Sequence, residues 1–221
     1  NKSLIVISDF EPDEPYTKFK HKLQELGFEP GLGDNADKIK EGLEQLEALI
    51  NTPDHEVLKS FLSRIPMIFN IAVITPHGYF AQEDVLGKPD TGGQIVYILD
   101  QVKALEKNMY KSLKEAGIHT TPKIIILTRL IPNSDGTPCN VEMAKVHNTK
   151  NVWILRVPFR EHNKKITDNW ISRFEIWPYL EEFAEDSYKE LLVEFGTRPD
   201  LVIGNYSDGN LVATILAKKF R

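Results

Sequence analysis

Ile71-Ala72-Val73-Ile74-Thr75, followed at once by Pro76-His77-Gly78-Tyr79-Phe80, decides how this chain reads. The first five residues form an apolar run too short for a core helix and the right length for a strand buried on both faces. The same kind of run recurs at Ile124-Ile125-Ile126-Leu127-Thr128, at Val152-Trp153-Ile154-Leu155-Arg156-Val157 and at Leu201-Val202-Ile203. Amphipathic helical stretches lie between and after these runs. Ile95, Ile98, Leu99, Val102, Leu105, Met109 and Leu113 share one helix face, which Gly117 closes. An acidic helix is expected over Tyr179 to Phe195, and another from Asn210 to Lys219. Strands alternating with helices imply an α/β fold, with a parallel sheet and right-handed crossovers over residues 66–221.

Upstream of Pro66 the period changes. Phe19, Leu23 and Leu26 fall at helical spacing, with Gly27 as a stop. The turn Gly31-Leu32-Gly33-Asp34-Asn35 supplies an N-cap. Ile39, Leu43, Leu46, Leu49 and Ile50 form a second apolar stripe, broken by Asn51-Thr52-Pro53-Asp54. Val57, Leu58, Phe61, Leu62 and Ile65 form a third. Residues 1–65 therefore read as a small helical segment without a cluster of chemically useful side chains.

Composition narrows the functions. The 221 residues are 41% hydrophobic and 27% charged, an ordinary globular balance with enough chain to bury a core. The 27 basic and 32 acidic residues leave a net charge of −5, which does not suit a nucleic-acid-binding surface. Lys18, Lys20 and Lys22 are the nearest approach to a basic stripe and read as the wet face of a helix. Cys139 is the only cysteine, so no intrachain disulfide forms, and a reducing, cytoplasmic setting is expected. No apolar run reaches the ~20 residues that span a bilayer. Asn1-Lys2-Ser3 shows no signal-peptide pattern, and the chain reads as a piece of something longer.

In an open parallel sheet, ligands bind beyond the carboxyl ends of the strands. After the first run comes His77, then a long loop ending in Pro89-Asp90-Thr91-Gly92-Gly93-Gln94 at the start of a helix. Two glycines there bare the backbone N–H groups, and the helix dipole favours an anion, so the turn suits a phosphate or sugar phosphate. A flexible loop with a glycine entry to a helix is the plainer alternative. Arg129, Arg156, Arg160 and Arg173 follow or end strands, where each suits an anion or hydroxyls, or simply pairs with an acid. After the last run, Gly204-Asn205-Tyr206-Ser207-Asp208-Gly209-Asn210 offers Asn205, Ser207 and Asp208 to sugar hydroxyls or to a helix cap. There is no H-E-x-x-H, no G-x-S-x-G, no Cys/His metal spacing and no calcium loop. Glu182 and Glu190 match an E-x7-E spacing, which in so acid-rich a helix is coincidence.

Four strings go beyond a generic sheet: Pro76–Gln82; Val85–Gly87 with Pro89–Gln94 and Val96–Val102; Trp170–Tyr179; and Ile203–Ala213. Together, in order, and with Ile154–Arg160 between them, they resemble the sucrose synthase family over about two thirds of the chain. Tyr16–Met67 resembles, more weakly, the segment that precedes that family's catalytic core. The resemblance implies the N-terminal, Rossmann-like half of a GT-B glycosyltransferase. It implies reversible conversion of sucrose and a nucleoside diphosphate into nucleotide-glucose and fructose, with retention and without a metal or other cofactor. The nucleotide is a uridine or adenosine diphosphate or its glucose conjugate, and the whole enzyme is a homotetramer with no nucleic-acid partner. His77, Gln94 and Arg173 are implied on the fructose, and the backbone of Gly92 and Gly93 on the diphosphate. The carry-over to Arg173 assumes a one-residue lengthening near His162–Asp168. The family's second half, with its nucleotide-sugar residues, is not in this sequence, so the chain alone is expected to be inactive. Three other readings stand beside this one: a sucrose-phosphate synthase-like transferase, a non-catalytic sugar- or phosphate-binding half-domain, and a scaffold acting through the helices of Pro15–Ile65.

Overall fold

The structure, a computed structural model, describes residues 2–160 and 164–221. His162, in the stretch where a one-residue lengthening is expected, lies outside the described residues. The chain divides into two compact units, Asn1–Met67 with Asn108–Thr121, and Ile68–Lys107 with Pro122–Arg221.

The first unit is helical. It holds α1 (Lys2–Ile7), α2 (Lys20–Gln24), α3 (Ala36–Asn51) and α4 (His55–Ser63), with the C-terminal end of α5 (Gly92–Glu115). Asn35 caps α3 by accepting from the Lys38 N–H at 3.0 Å. Asp54 caps α4 by accepting from the N–H groups of Glu56 and Val57. Each such cap satisfies donors that a helix start leaves bare. Ile7, Tyr16, Phe19, Leu23, Ala36, Ile39 and Leu43 form the core. Gly117 ends α5 at φ +73, and a Cβ there would meet the Gly33 carbonyl oxygen at 2.5 Å, so only glycine fits. The third apolar stripe is placed differently from its expectation: α4 buries none of its residues, and Leu58 and Leu62 stay exposed.

The second unit is built on five strands: β1 (Asn70–Ile74), β2 (Lys123–Leu130), β3 (Met143–Lys145), β4 (Val152–Pro158) and β5 (Leu201–Gly204). Their order is β3-β4-β2-β1-β5, parallel throughout except for β3, which runs antiparallel to β4 at one edge. The register sets Val73 beside Ile126 and Ile203. A short α6 (Lys164–Thr167) follows β4, then come α7 (Leu180–Phe195) and, after β5, α8 (Tyr206–Lys219). Alternate strand residues Ala72, Ile74, Ile125, Leu127, Leu155 and Val157 pack with α7 and α8 through Phe183, Leu191, Val212 and Leu216. The opposite set, Ile71, Val73, Ile124, Ile126 and Ile154, is equally buried. Burial on both faces is why these strands read as unbroken apolar runs. Each fully buried aliphatic side chain contributes about 1.5–3 kcal/mol.

A carboxylate ties α5 to the chain that enters β4. The buried Glu106 of α5 accepts from the N–H groups of Lys150 and Asn151, just before β4. The strand order also fixes where a ligand can enter. From β1 the chain moves outward through β2 and β4, then returns to place β5 on the other side of β1. Loops leaving β1 and β5 therefore diverge and open a crevice between them.

Candidate functional site

The crevice is a shallow recess of about 250 Å3, lined by His77, Lys88, Asp90, Thr91, Gly92, Gly93, Gln94, Arg173 and Tyr206. That is slightly below the ~300–1,000 Å3 that drug-sized ligands occupy and suits one small polar molecule. The recess thus gathers His77, Gln94, Arg173, Gly92 and Gly93, which the sequence scatters over almost a hundred positions.

Each is held by identifiable contacts. Thr75 extends β1 by donating its N–H to the Leu127 carbonyl at 2.9 Å, and its hydroxyl accepts from the Gln94 amide. Gln94 is thereby buried and fixed on the first turn of α5. Gly78, at φ +76, is the pivot of the loop: a Cβ would strike the Asp90 carbonyl oxygen. Asp90 is itself left-handed, at φ 57, and its carboxylate accepts from the Arg173 N–H at 3.3 Å. Thr91 donates its hydroxyl to the Lys88 carbonyl at 2.6 Å, and the Lys88 ammonium pairs with Asp135. Arg173 is exposed, its guanidinium 4.9 Å from the Phe174 ring centroid. Gly92 and Gly93 open α5 and are exposed, and a Cβ on either would meet nothing within 4 Å. Packing therefore does not require glycine at these positions, and without a Cβ the backbone at the start of α5 is open to close approach.

The loop after β5 is placed otherwise than expected. Asn205, Ser207 and Asp208 do not line the recess; Tyr206 does. Asn205 is buried beside the end of β1, donating its N–H to the Ile74 carbonyl at 2.9 Å. Ser207 is exposed. Asp208 lies behind His77 and accepts from its Nδ1 at 2.6 Å. Nor does α8 wait until Asn210. It starts at Tyr206, so the polar string is the helix's first turn rather than a loop before it.

The other strand-end arginines serve the protein itself. Arg129 is buried, donates to the carbonyls of Thr167 and Asn169 at 2.7 and 2.5 Å, and stacks 4.7 Å from the Phe159 ring centroid. Burial pushes its guanidinium down to about 10. Arg156 donates to the carbonyls of Val141 and Phe80 at 2.8 and 2.9 Å, and burial lowers it too. Arg160 pairs with Asp186. Sequence reasoning missed Lys88 and Tyr206 as lining residues. Nothing in the sequence distinguishes Lys88; Tyr206 carries one signal, an aromatic ring inside a run of small polar residues. Among the described residues, no cluster of His, Cys, Asp or Glu is arranged to hold a metal ion.

Residues 56–221 match a family model described as the sucrose synthase first GT-B domain. A sucrose synthase of Melioribacter roseus is 63% identical over 221 residues, covering 100% of this chain and 28% of that protein. One from Thermosynechococcus vestitus is 59% identical over 223 residues, with the same two shares. Sucrose synthase isoform 1 of Daucus carota is 54% identical over 213 residues, 96% of this chain and 26% of that protein. The chain thus spans little more than a quarter of the length of these relatives.

Proposed function

Because the chain belongs to the sucrose synthase family, we propose that its recess is the acceptor-sugar side of a glucosyl transfer between sucrose and a nucleoside diphosphate. In the whole protein, a diphosphate oxygen bonds to the glucosyl anomeric carbon as the bond to the fructosyl oxygen breaks. In reverse, the fructose hydroxyl attacks while its proton passes to the departing diphosphate, and the configuration is retained. His77, Gln94 and Arg173 bind and orient fructose by hydrogen bonds to its hydroxyls. The N–H groups of Gly92 and Gly93, at the positive end of α5, stabilise charge on the diphosphate as the bond changes hands. No step calls on a metal. Uridine and adenosine diphosphates both fit this scheme, since the N–H groups of Gly92 and Gly93 meet the diphosphate that the two share. The whole enzyme is a cytoplasmic homotetramer in this reading; no helix among the described residues is long and apolar enough to cross a membrane.

The observation that supports the reading most is that five residues drawn from the loop after β1, from α5 and from the loop before α7 line one recess at the sheet's switch point. The chain spans little more than a quarter of the length of its relatives, and in this reading the nucleotide-sugar contacts lie in the rest, so the 221 residues alone release no fructose from sucrose. The test is the whole protein assayed with sucrose and uridine or adenosine diphosphate. His77→Ala and Arg173→Ala raise KM for fructose in the synthetic direction, and Gly93→Ala raises KM for the nucleotide. Unchanged KM values in all three contradict the assignment.

A further inference from the structure

Asp208 is an unusual residue to find buried, and its surroundings say what it does. Its side chain is 5% exposed and that of His77 2% exposed, with Nδ1 and Oδ2 2.6 Å apart. An ionised carboxylate can only accept, so Nδ1 carries the proton. In the neutral ring the lone pair then lies on Nε2, which among the described residues has no hydrogen-bond partner, while the ring lines the recess. The carboxylate also sits in the first turn of α8, where the helix dipole offsets part of the cost of its burial.

The distance between the two groups is set by backbone rather than by side-chain freedom. The Asn205 N–H is bonded to the Ile74 carbonyl, and a Cβ on Gly209 would strike that same oxygen at 2.6 Å. A Cβ on Gly204 would meet the Cα of Asn210 at 2.6 Å. The start of α8 is thus clamped against the end of β1, which brings Asp208 to His77. Tyr206, at φ 58, turns its ring edge-on to the imidazole, with centroids 5.3 Å apart. A bulky residue in the left-handed region is costly and persists only where its surroundings hold it there.

We propose that Asp208 is a positioning residue for His77. It holds the imidazole in the Nδ1–H form and presents Nε2 to the recess as the acceptor for a sugar hydroxyl, while touching no sugar itself. The proposal deepens the fructose reading and rests on it for the identity of the sugar. Three arms test it on the 221-residue chain. Long-range proton–nitrogen spectra of the histidine ring are recorded at about pH 8, above the ordinary imidazole range. They show the Nδ1–H form for His77 in the parent chain and lose it in Asp208→Ala. Asp208→Asn, whose amide offers either an acceptor or a donor, gives a mixture and serves if the alanine variant does not fold. Fructose affinity falls about tenfold in Asp208→Ala. In a His77→Ala background the same change costs no further affinity, because a group that acts through the ring has nothing left to act on. An unchanged tautomer in both Asp208 variants overturns the proposal. So does a loss of affinity on top of His77→Ala, which would make Asp208 a direct contact or a purely structural residue. If His77→Ala and Asp208→Ala both leave fructose binding untouched while the tautomer changes, the fructose reading fails and the positioning of the ring stands.

Discussion

The carboxyl ends of β1 and β5 and the carboxyl ends of β2 and β4 are built from similar materials and do opposite things. Beyond β1 and β5, polar groups line an open recess: the buried His77 ring at its wall, the exposed Gly92 and Gly93 at the start of α5, and the exposed Arg173. At β2 and β4 the buried guanidinium groups of Arg129 and Arg156 are turned inward and donate to the carbonyls of Thr167, Asn169, Val141 and Phe80. A strand end is therefore not enough to make a site. The loops must also diverge, and they do so only where the strand order reverses, at β1. Elsewhere a buried guanidinium is better used to fasten irregular backbone, whose carbonyls need donors once they leave water.

That contrast can be broken by substitution. Arg156→Ala should show the largest effect, a loss of about 3 kcal/mol in urea unfolding, since the buried Phe80 carbonyl and the Val141 carbonyl lose a charged donor and a cavity remains. Fructose affinity should change less than about twofold. A large affinity loss without a stability loss would put Arg156 in the site. Glu106→Ala should cost about 2 kcal/mol by stranding the N–H groups of Lys150 and Asn151, with Glu106→Gln recovering part of it through its remaining carbonyl oxygen. Equal stability of the parent and both variants would show that this tie carries nothing.

The recess side should respond with the reverse profile. Arg173→Ala is expected to weaken fructose binding about tenfold while moving stability by less than about 0.5 kcal/mol, because the side chain is exposed. Gly93→Ala should leave stability unchanged or raise it by up to about 1 kcal/mol, as alanine suits a helix and its Cβ meets no protein atom. The same change should weaken diphosphate binding; a destabilised chain with intact binding would contradict this.

The smallest effect concerns Tyr79, whose phenol is raised above its usual 10, first by burial and then by Asp135. The unfolded phenol then ionises before the folded one, so the unfolded state binds fewer protons above pH 10 and stability falls as pH rises through the folded value. Tyr79→Phe should flatten that fall by a fraction of a kcal/mol, measured as unfolding midpoints at about pH 9 and about pH 11. An identical slope in both proteins would remove Tyr79 from the account.

Much of the sheet was legible because parallel strands buried on both faces leave apolar runs. The runs at 71–75, 124–128, 152–157 and 201–203 fall on β1, β2, β4 and β5 with ends shifted by two residues at most. β3 left no such mark. Met143-Ala144-Lys145 is three half-exposed or exposed residues at an edge, held by pairing to β4 rather than by its own pattern. α1 was missed because Leu4-Ile5-Val6-Ile7 is a continuous apolar run with no helical period.

The lining of the candidate recess was legible where chemistry and position coincide, as in the glycine pair at the start of α5. It was not legible where geometry reassigns a residue. Asn205, Ser207 and Asp208 form one polar string in sequence, yet a helix starting at Tyr206 sends the first inward, the second to solvent and the third behind His77. Arg129 and Arg156 look like Arg173 on paper and differ only in burial, which the sequence does not state.

The most direct measurement is a titration of the isotopically labelled 221-residue chain with fructose, then with inorganic pyrophosphate, followed by backbone amide and histidine ring signals. Fructose should shift His77, Gln94, Arg173 and Tyr206, pyrophosphate should shift Gly92 and Gly93, and Arg129 and Arg156 should respond to neither. Shifts centred on Thr167, Asn169 and the strand-end arginines, with the switch-point recess silent, would contradict this.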